Sequence, residues 1–130
     1  MPVANAAAET PHVLHTGLRL PVRVEIDLAG LKAKGFVTPD TPQSAIAHEF
    51  RVLKRPIIRN AQGRSGAVIP RGMLVMVTSA LPGEGKTFTA VNLAISLAME
   101  FDHTVLLVDG DVAHSSLPGV LGLAPSEGLL

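Results

Sequence analysis

Two short runs of strand-forming residues, Met73–Thr78 (MLVMVT) and Thr104–Val108 (TVLLV), enclose a glycine-rich turn and a long apolar stretch. A strand exposed on one face alternates apolar and polar residues; near-continuous apolar runs like these suit parallel strands buried on both faces. Between them, Lys86 to about Phe101 reads as a helix. Thr89, Asn92, Ser96 and Glu100 form its only polar stripe, so it expects cover on more than one side. Strand, loop, helix, strand is a βαβ unit, whose crossover makes the two strands parallel. The pattern predicts an α/β fold, a parallel sheet with flanking helices.

The turn carries the strongest chemical signal. Ala80-Leu81-Pro82-Gly83-Glu84-Gly85-Lys86-Thr87 fits the phosphate-loop pattern GxxxxGK[ST] except for Ala80 at the first glycine. Gly83 and Gly85 let backbone N–H groups turn inward to cradle phosphate oxygens. Lys86 can reach the β and γ phosphates as a compact positive charge. Thr87 offers a hydroxyl to Mg²⁺, and the following helix points the positive end of its dipole at the anion. Pro82 to Phe88 is therefore the candidate nucleotide-binding stretch. The sheet is then of the P-loop NTPase type.

A second candidate is Leu106-Leu107-Val108-Asp109-Gly110-Asp111. Both carboxylates follow the C-terminal end of a parallel strand, outside which ligands of open α/β sheets bind. Asp109 and Asp111 could each hold Mg²⁺ or orient an attacking hydroxyl; the alternative is that Asp109 caps the following turn and Asp111 is solvated. With Lys86 they are the candidate catalytic residues, and with Thr87 the candidate metal ligands.

Charge divides the chain. Residues 1–71 hold ten Lys and Arg against five Asp and Glu; residues 72–130 hold one Lys against six acids. Three segments follow: a flexible tail at 1–21, a basic segment at 22–71 and a partial phosphate-loop domain at 72–130. Within 22–71, Val22–Leu28 alternates apolar and charged residues as an edge strand would. Thr41 with Pro42 then predicts a helix start. Ile46, Phe50, Leu53 and Ile57 mark its apolar face, and Pro56 is expected to kink or end it. The basic residues are scattered and the only aromatics are four Phe, which argues against nucleic acid. No apolar run approaches the ~18 residues that cross a bilayer. Cysteine is absent, so disulfides and thiolate chemistry are excluded.

Ser79–Thr87 (SALPGEGKT), the apolar helix and Val105–Asp111 (VLLVDGD) together resemble the bacterial tyrosine autokinases, or BY-kinases, which regulate exopolysaccharide biosynthesis and export. Asp109-x-Asp111 matches the core of the family's Walker A′ motif. His48-Glu49-Phe50-Arg51-Val52-Leu53-Lys54-Arg55 looks like its arginine-bearing self-association helix, and this region looks closest to the kinases of exosortase-linked clusters. The resemblance implies ATP and Mg²⁺ as cofactors and self-association through the Ala47–Arg55 helix. It also implies a membrane-anchored polysaccharide co-polymerase as partner, and a cytoplasmic place reaching the inner membrane only through that partner. Septum-site and partition ATPases share both motifs but carry a signature lysine where this chain has Leu81. Three departures stand out: His48 and Lys54 replace the family's Glu and second Arg, and Ala113 replaces an arginine after the second aspartate. Neither the family's Walker B aspartate nor its tyrosine cluster is present, and the chain has no Tyr. The expectation is an N-terminal part of such a domain, its sheet cut short after the second core strand, and inactive as a kinase by itself. The alternatives are a nucleotide-dependent assembly switch and an inactive truncated product.

Overall fold

The computed structural model describes residues 22–64, 66, 69–111 and 114–124; the tail read at 1–21 lies outside them. Four helices occur among the described residues: α1 (Leu28–Ala33), α2 (Ala45–Ala61), α3 (Lys86–Ala98) and α4 (Leu117–Leu121).

The strand expected at Val22–Leu28 does not form. Residues 22–27 have no regular structure, and Asp27 instead caps α1, its carboxylate accepting the Gly30 amide at 2.8 Å. An edge strand needs a neighbour, and Val22 remains 84% exposed with none beside it. After α1 the chain enters the interior at Phe36, Val37 and Thr38, all buried.

α2 starts later than expected. Ser44, not Thr41, is its N-cap, accepting the Ala47 amide at 3.3 Å, while Thr41 shares a hydroxyl bond with Thr38 at 2.9 Å. The helix also continues through Pro56 to Ala61. Proline removes one intrahelical bond, and packing of Ile57 against the core supports the turns around it. Its buried face is Ala47, Phe50 and Lys54, whereas Leu53, expected on that face, is 52% exposed.

α3 ends at Ala98, three residues before the expected limit. The middle of its polar stripe points inward, while Thr89 and Glu100 are half-buried. Asn92 is wholly buried: its Oδ1 accepts the Val37 amide at 2.6 Å and its Nδ2 donates to the Phe88 carbonyl at 2.8 Å. Ser96 is buried as well, and its carbonyl accepts from Lys54 Nζ at 2.7 Å. Lys54 also pairs with Glu100 at 2.6 Å, and that hydrogen bond holds the Glu100 carboxyl below the usual carboxylate range. Two apolar clusters flank α3. Val37, Ala47, Phe50 and Leu93 join it to α2; Leu31, Phe36 and Val91 gather α1 and α4. The basic segment thus packs directly on the phosphate-loop segment.

The parallel sheet is absent among the described residues. Met73–Thr78 and Thr104–Val108 carry no strand, and no backbone hydrogen bond joins them. A cavity of about 610 Å³ lies against both, with α3 residues Ala90, Leu93, Ala94 and Leu97 in its wall. Strands are defined by their partners, and these two runs face a void rather than each other. Met73, Met76 and Leu106 are each more than 80% exposed.

Candidate nucleotide site

The turn before α3 is braced from within. Ser79 Oγ donates to the Leu81 carbonyl at 3.1 Å, and the Leu81 amide donates to Glu84 Oε2 at 3.0 Å. Glu84 thus shapes the loop's own backbone. Gly85 caps α3 at φ +92°, in the left-handed region that side chains resist. Space is not the constraint there, because a Cβ on Gly85 would meet nothing within 4 Å. The Thr89 amide then donates to the Gly85 carbonyl at 2.8 Å, starting the helix.

A cavity of about 450 Å³ opens beside this helix start, and Lys86, Thr87, Asp109 and Asp111 all line it. Two stretches separated by α3 in the sequence therefore converge. Lys86 Nζ lies 3.7 Å from Asp111 Oδ2. Thr87 and Ser116 hydroxyls share a hydrogen bond at 3.0 Å. Asp109 Oδ1 accepts the Asp111 amide at 3.0 Å, while its Oδ2 accepts the Ser115 hydroxyl at 2.8 Å and the Leu117 amide at 3.4 Å. Partial burial pushes the Asp109 carboxyl up, but these donors, with the Ser116 amide, outweigh it and hold the group below the usual carboxylate range. The turn-capping role weighed for Asp109 is present, and it coexists with the cavity position.

Of the other predicted residues, Pro82, Gly83, Glu84 and Gly85 belong to the adjoining turn, and Phe88 turns away. Its ring, still about a third exposed, sits 4.8 Å from that of the buried Phe36. The predicted ligands at the cavity, the Thr87 hydroxyl and the Asp109 and Asp111 carboxylates, are hard oxygens of the kind Mg²⁺ prefers, and so fit that ion. No cluster of three or more acidic, His or Cys side chains exists among the described residues. Ser115 and Ser116 have no catalytic-triad context in the sequence, yet they bond the predicted residues Asp109 and Thr87. A signal was there: Ser116 precedes Leu117-Pro118 as an N-cap precedes a helix, with Gly122 closing α4 in the left-handed region.

Sequence comparison finds several relatives of the chain. The chain is 34% identical over 94 residues to the succinoglycan biosynthesis transport protein ExoP of Rhizobium meliloti, a match covering 72% of this chain and 11% of ExoP. It is 35% identical over 97 residues to the tyrosine-protein kinase YwqD of Bacillus subtilis, covering 74% of this chain and 38% of YwqD. The chain belongs to the bacterial tyrosine autokinases. It spans well under half the length of either relative in that family. An iron-sulfur cluster carrier protein of Escherichia coli is also similar, 36% identical over 77 residues, which is 59% of this chain and 19% of the carrier. No family model and no solved structure matches the chain.

Proposed function

We propose that this chain is the ATP-binding part of a protein tyrosine autokinase that regulates exopolysaccharide biosynthesis and export. The observation that carries this reading is the convergence of Lys86, Thr87, Asp109 and Asp111 on one cavity at the start of α3. In this reading Gly83 to Thr87 receive the phosphates through backbone amides and the helix dipole. Lys86 leaves Asp111 to contact the transferring phosphoryl group. Thr87 and Asp109 hold Mg²⁺, which when bound supplies charge neutralisation for in-line transfer. Asp111 is free to orient the tyrosine hydroxyl and take its proton. The acceptor comes from another chain or segment, because residues 1–130 contain no Tyr.

The P-loop sheet of this reading forms when a further strand fills the cavity between Met73–Thr78 and Thr104–Val108. Self-association runs through the outer face of α2, where His48, Glu49, Val52, Leu53 and Arg55 are exposed. Lys54 takes no part in it, being committed to Ser96 and Glu100. No helix among the described residues is long and apolar enough to cross a membrane. In this reading contact with the inner membrane passes through a membrane-anchored co-polymerase, a partner suggested by the likeness to a polysaccharide transport protein.

A second reading, a nucleotide-dependent assembly switch, draws on the likeness to the iron-sulfur carrier. Calorimetry with MgATP tests what the two share. Lys86→Ala should weaken binding by about 1.5–3 kcal/mol, the worth of a charge-assisted contact; unchanged affinity would remove the site. Radiolabelled ATP and a tyrosine-rich acceptor separate the readings. Phosphotyrosine made by the full-length kinase and abolished by Lys86→Ala supports the first, and ATP hydrolysis without phosphotyrosine supports the second.

A further inference from the structure

Each side chain that the proposed nucleotide needs is already engaged within the chain. Lys86 faces Asp111, Thr87 is bonded to Ser116, and Asp109 to Ser115 and the Leu117 amide. Asp111 Oδ1 accepts the His114 amide at 3.1 Å. Apart from the Lys86–Asp111 pair, these partners come from one segment, residues 114–117. That segment runs straight into α4, whose Leu117, Val120 and Leu121 pack on the Leu31, Phe36 and Val91 cluster. At the far end of α4 the Leu121 carbonyl accepts the Asp27 amide at 3.2 Å, at the cap of α1. Gly122 permits this approach, since a Cβ there would come within 2.7 Å of the Asp27 Cβ.

We propose that residues 114–117 are a latch over the phosphate-and-metal cavity, and that its closure is coupled to the docking of α4 on α1. The proposal rests on the nucleotide-binding reading and adds a regulatory device to it. A cation held by Thr87 and Asp109 draws on the oxygens that Ser116, Ser115 and the Leu117 amide now occupy. A phosphate drawing Lys86 away leaves Asp111 without its counter-charge. Ligand binding and latch closure therefore oppose each other. When the latch opens, α4 loses its N-terminal anchor on Asp109 and, among the described residues, is held on α1 by apolar contacts and one backbone bond. Coupling is reciprocal: MgATP loosens α4, and whatever lifts α4 from α1 tightens MgATP binding. A partner engaging the exposed residues 22–27 ahead of α1 would act on the cavity in this way.

Two variants probe opposite ends of the device. Ser116→Ala removes the bond to Thr87 at the cavity. Gly122→Ala places a methyl against Asp27, remote from the cavity, and Ser115→Ala replaces it if the chain with Gly122→Ala does not fold. Calorimetry should show each variant binding MgATP about threefold more tightly than the unaltered protein, the weight of one net hydrogen bond. Hydrogen exchange should show the Asp27 amide opening faster once MgATP is added. Affinity that falls or stays level in the variants, with Asp27 exchange unchanged, overturns the latch and leaves the nucleotide site standing. A protein that binds no MgATP, unaltered or substituted, overturns both.

Discussion

Asp109 concentrates the chemistry of the site in one carboxylate. It accepts a turn amide, a serine hydroxyl and the first amide of α4, and faces the cavity shared with Lys86 and Thr87. These donors favour the ionised form and depress its pKa in the folded protein. A depressed carboxylate stabilises the fold above its unfolded pKa, and that contribution is lost as pH falls through the folded value. Asp109→Asn should therefore destabilise the protein at neutral pH, and the gap from wild type should close below about pH 3.8, the ordinary aspartate value. Parallel thermal melts of the two proteins from pH 7 to pH 2.5 would measure it. A gap that stayed constant to the acid end would show that the hydrogen bonds to Asp109 do not set its ionisation.

Among the elements, α3 departs furthest from its helical wheel. Its polar stripe includes a fastening face: Asn92 ties α3 to the Val37 amide while also bonding the Phe88 carbonyl one turn back, and Ser96 offers its carbonyl to Lys54. Buried polar groups are normally satisfied, and here the bonds from the Val37 amide to Asn92 and from Lys54 to the Ser96 carbonyl cross element boundaries. Asn92→Leu would leave the Val37 amide buried without an acceptor, at a cost of about 1–3 kcal/mol. Urea unfolding followed by circular dichroism should show a midpoint lowered accordingly; an unchanged midpoint would mean that water replaces the side chain. α2 makes the same point with a charge. Lys54 looks like a surface residue in sequence, yet it is buried, bonded to the Ser96 carbonyl and paired with Glu100, while Leu53 beside it is half-exposed.

At the scale of the molecule, the two runs beside the larger cavity combine exposed apolar side chains with no ladder between them among the described residues. Apart from the Leu74 amide, which donates to the Arg71 carbonyl, Met73–Thr78 and Thr104–Val108 show no backbone hydrogen bond among the described residues, and they expose apolar side chains; such segments template pairing with other chains. Dilute monomer should show fast amide exchange through both runs, while amides of Val91–Ser96 exchange slowly beneath the packed clusters. Slow, cooperative exchange across both runs would mean that they pair in solution. At rising concentration the same surfaces should drive self-association, read as a growing hydrodynamic radius.

The sequence by itself determined what depends on neighbours along the chain. The spacing of Gly83, Gly85, Lys86 and Thr87 specified a turn feeding a helix, and α3 begins at Lys86 as that spacing requires. Asp109 and Asp111 were legible because a short apolar run ending in acids is a local pattern. Tertiary structure alone decided whatever needs a partner from elsewhere. Val22–Leu28 has the alternation of a strand but no strand to pair with, and Asp27 caps α1 instead. Met73–Thr78 and Thr104–Val108 have the composition of a buried sheet, yet a ladder is a relation between segments, and the described residues leave a cavity where the relation would be. Ser115 and Ser116 took their places by the cavity because packing of α4 on α1 brought them to Asp109 and Thr87. Periodicity reports which face a segment would bury; only the folded chain reports what is there to bury it against.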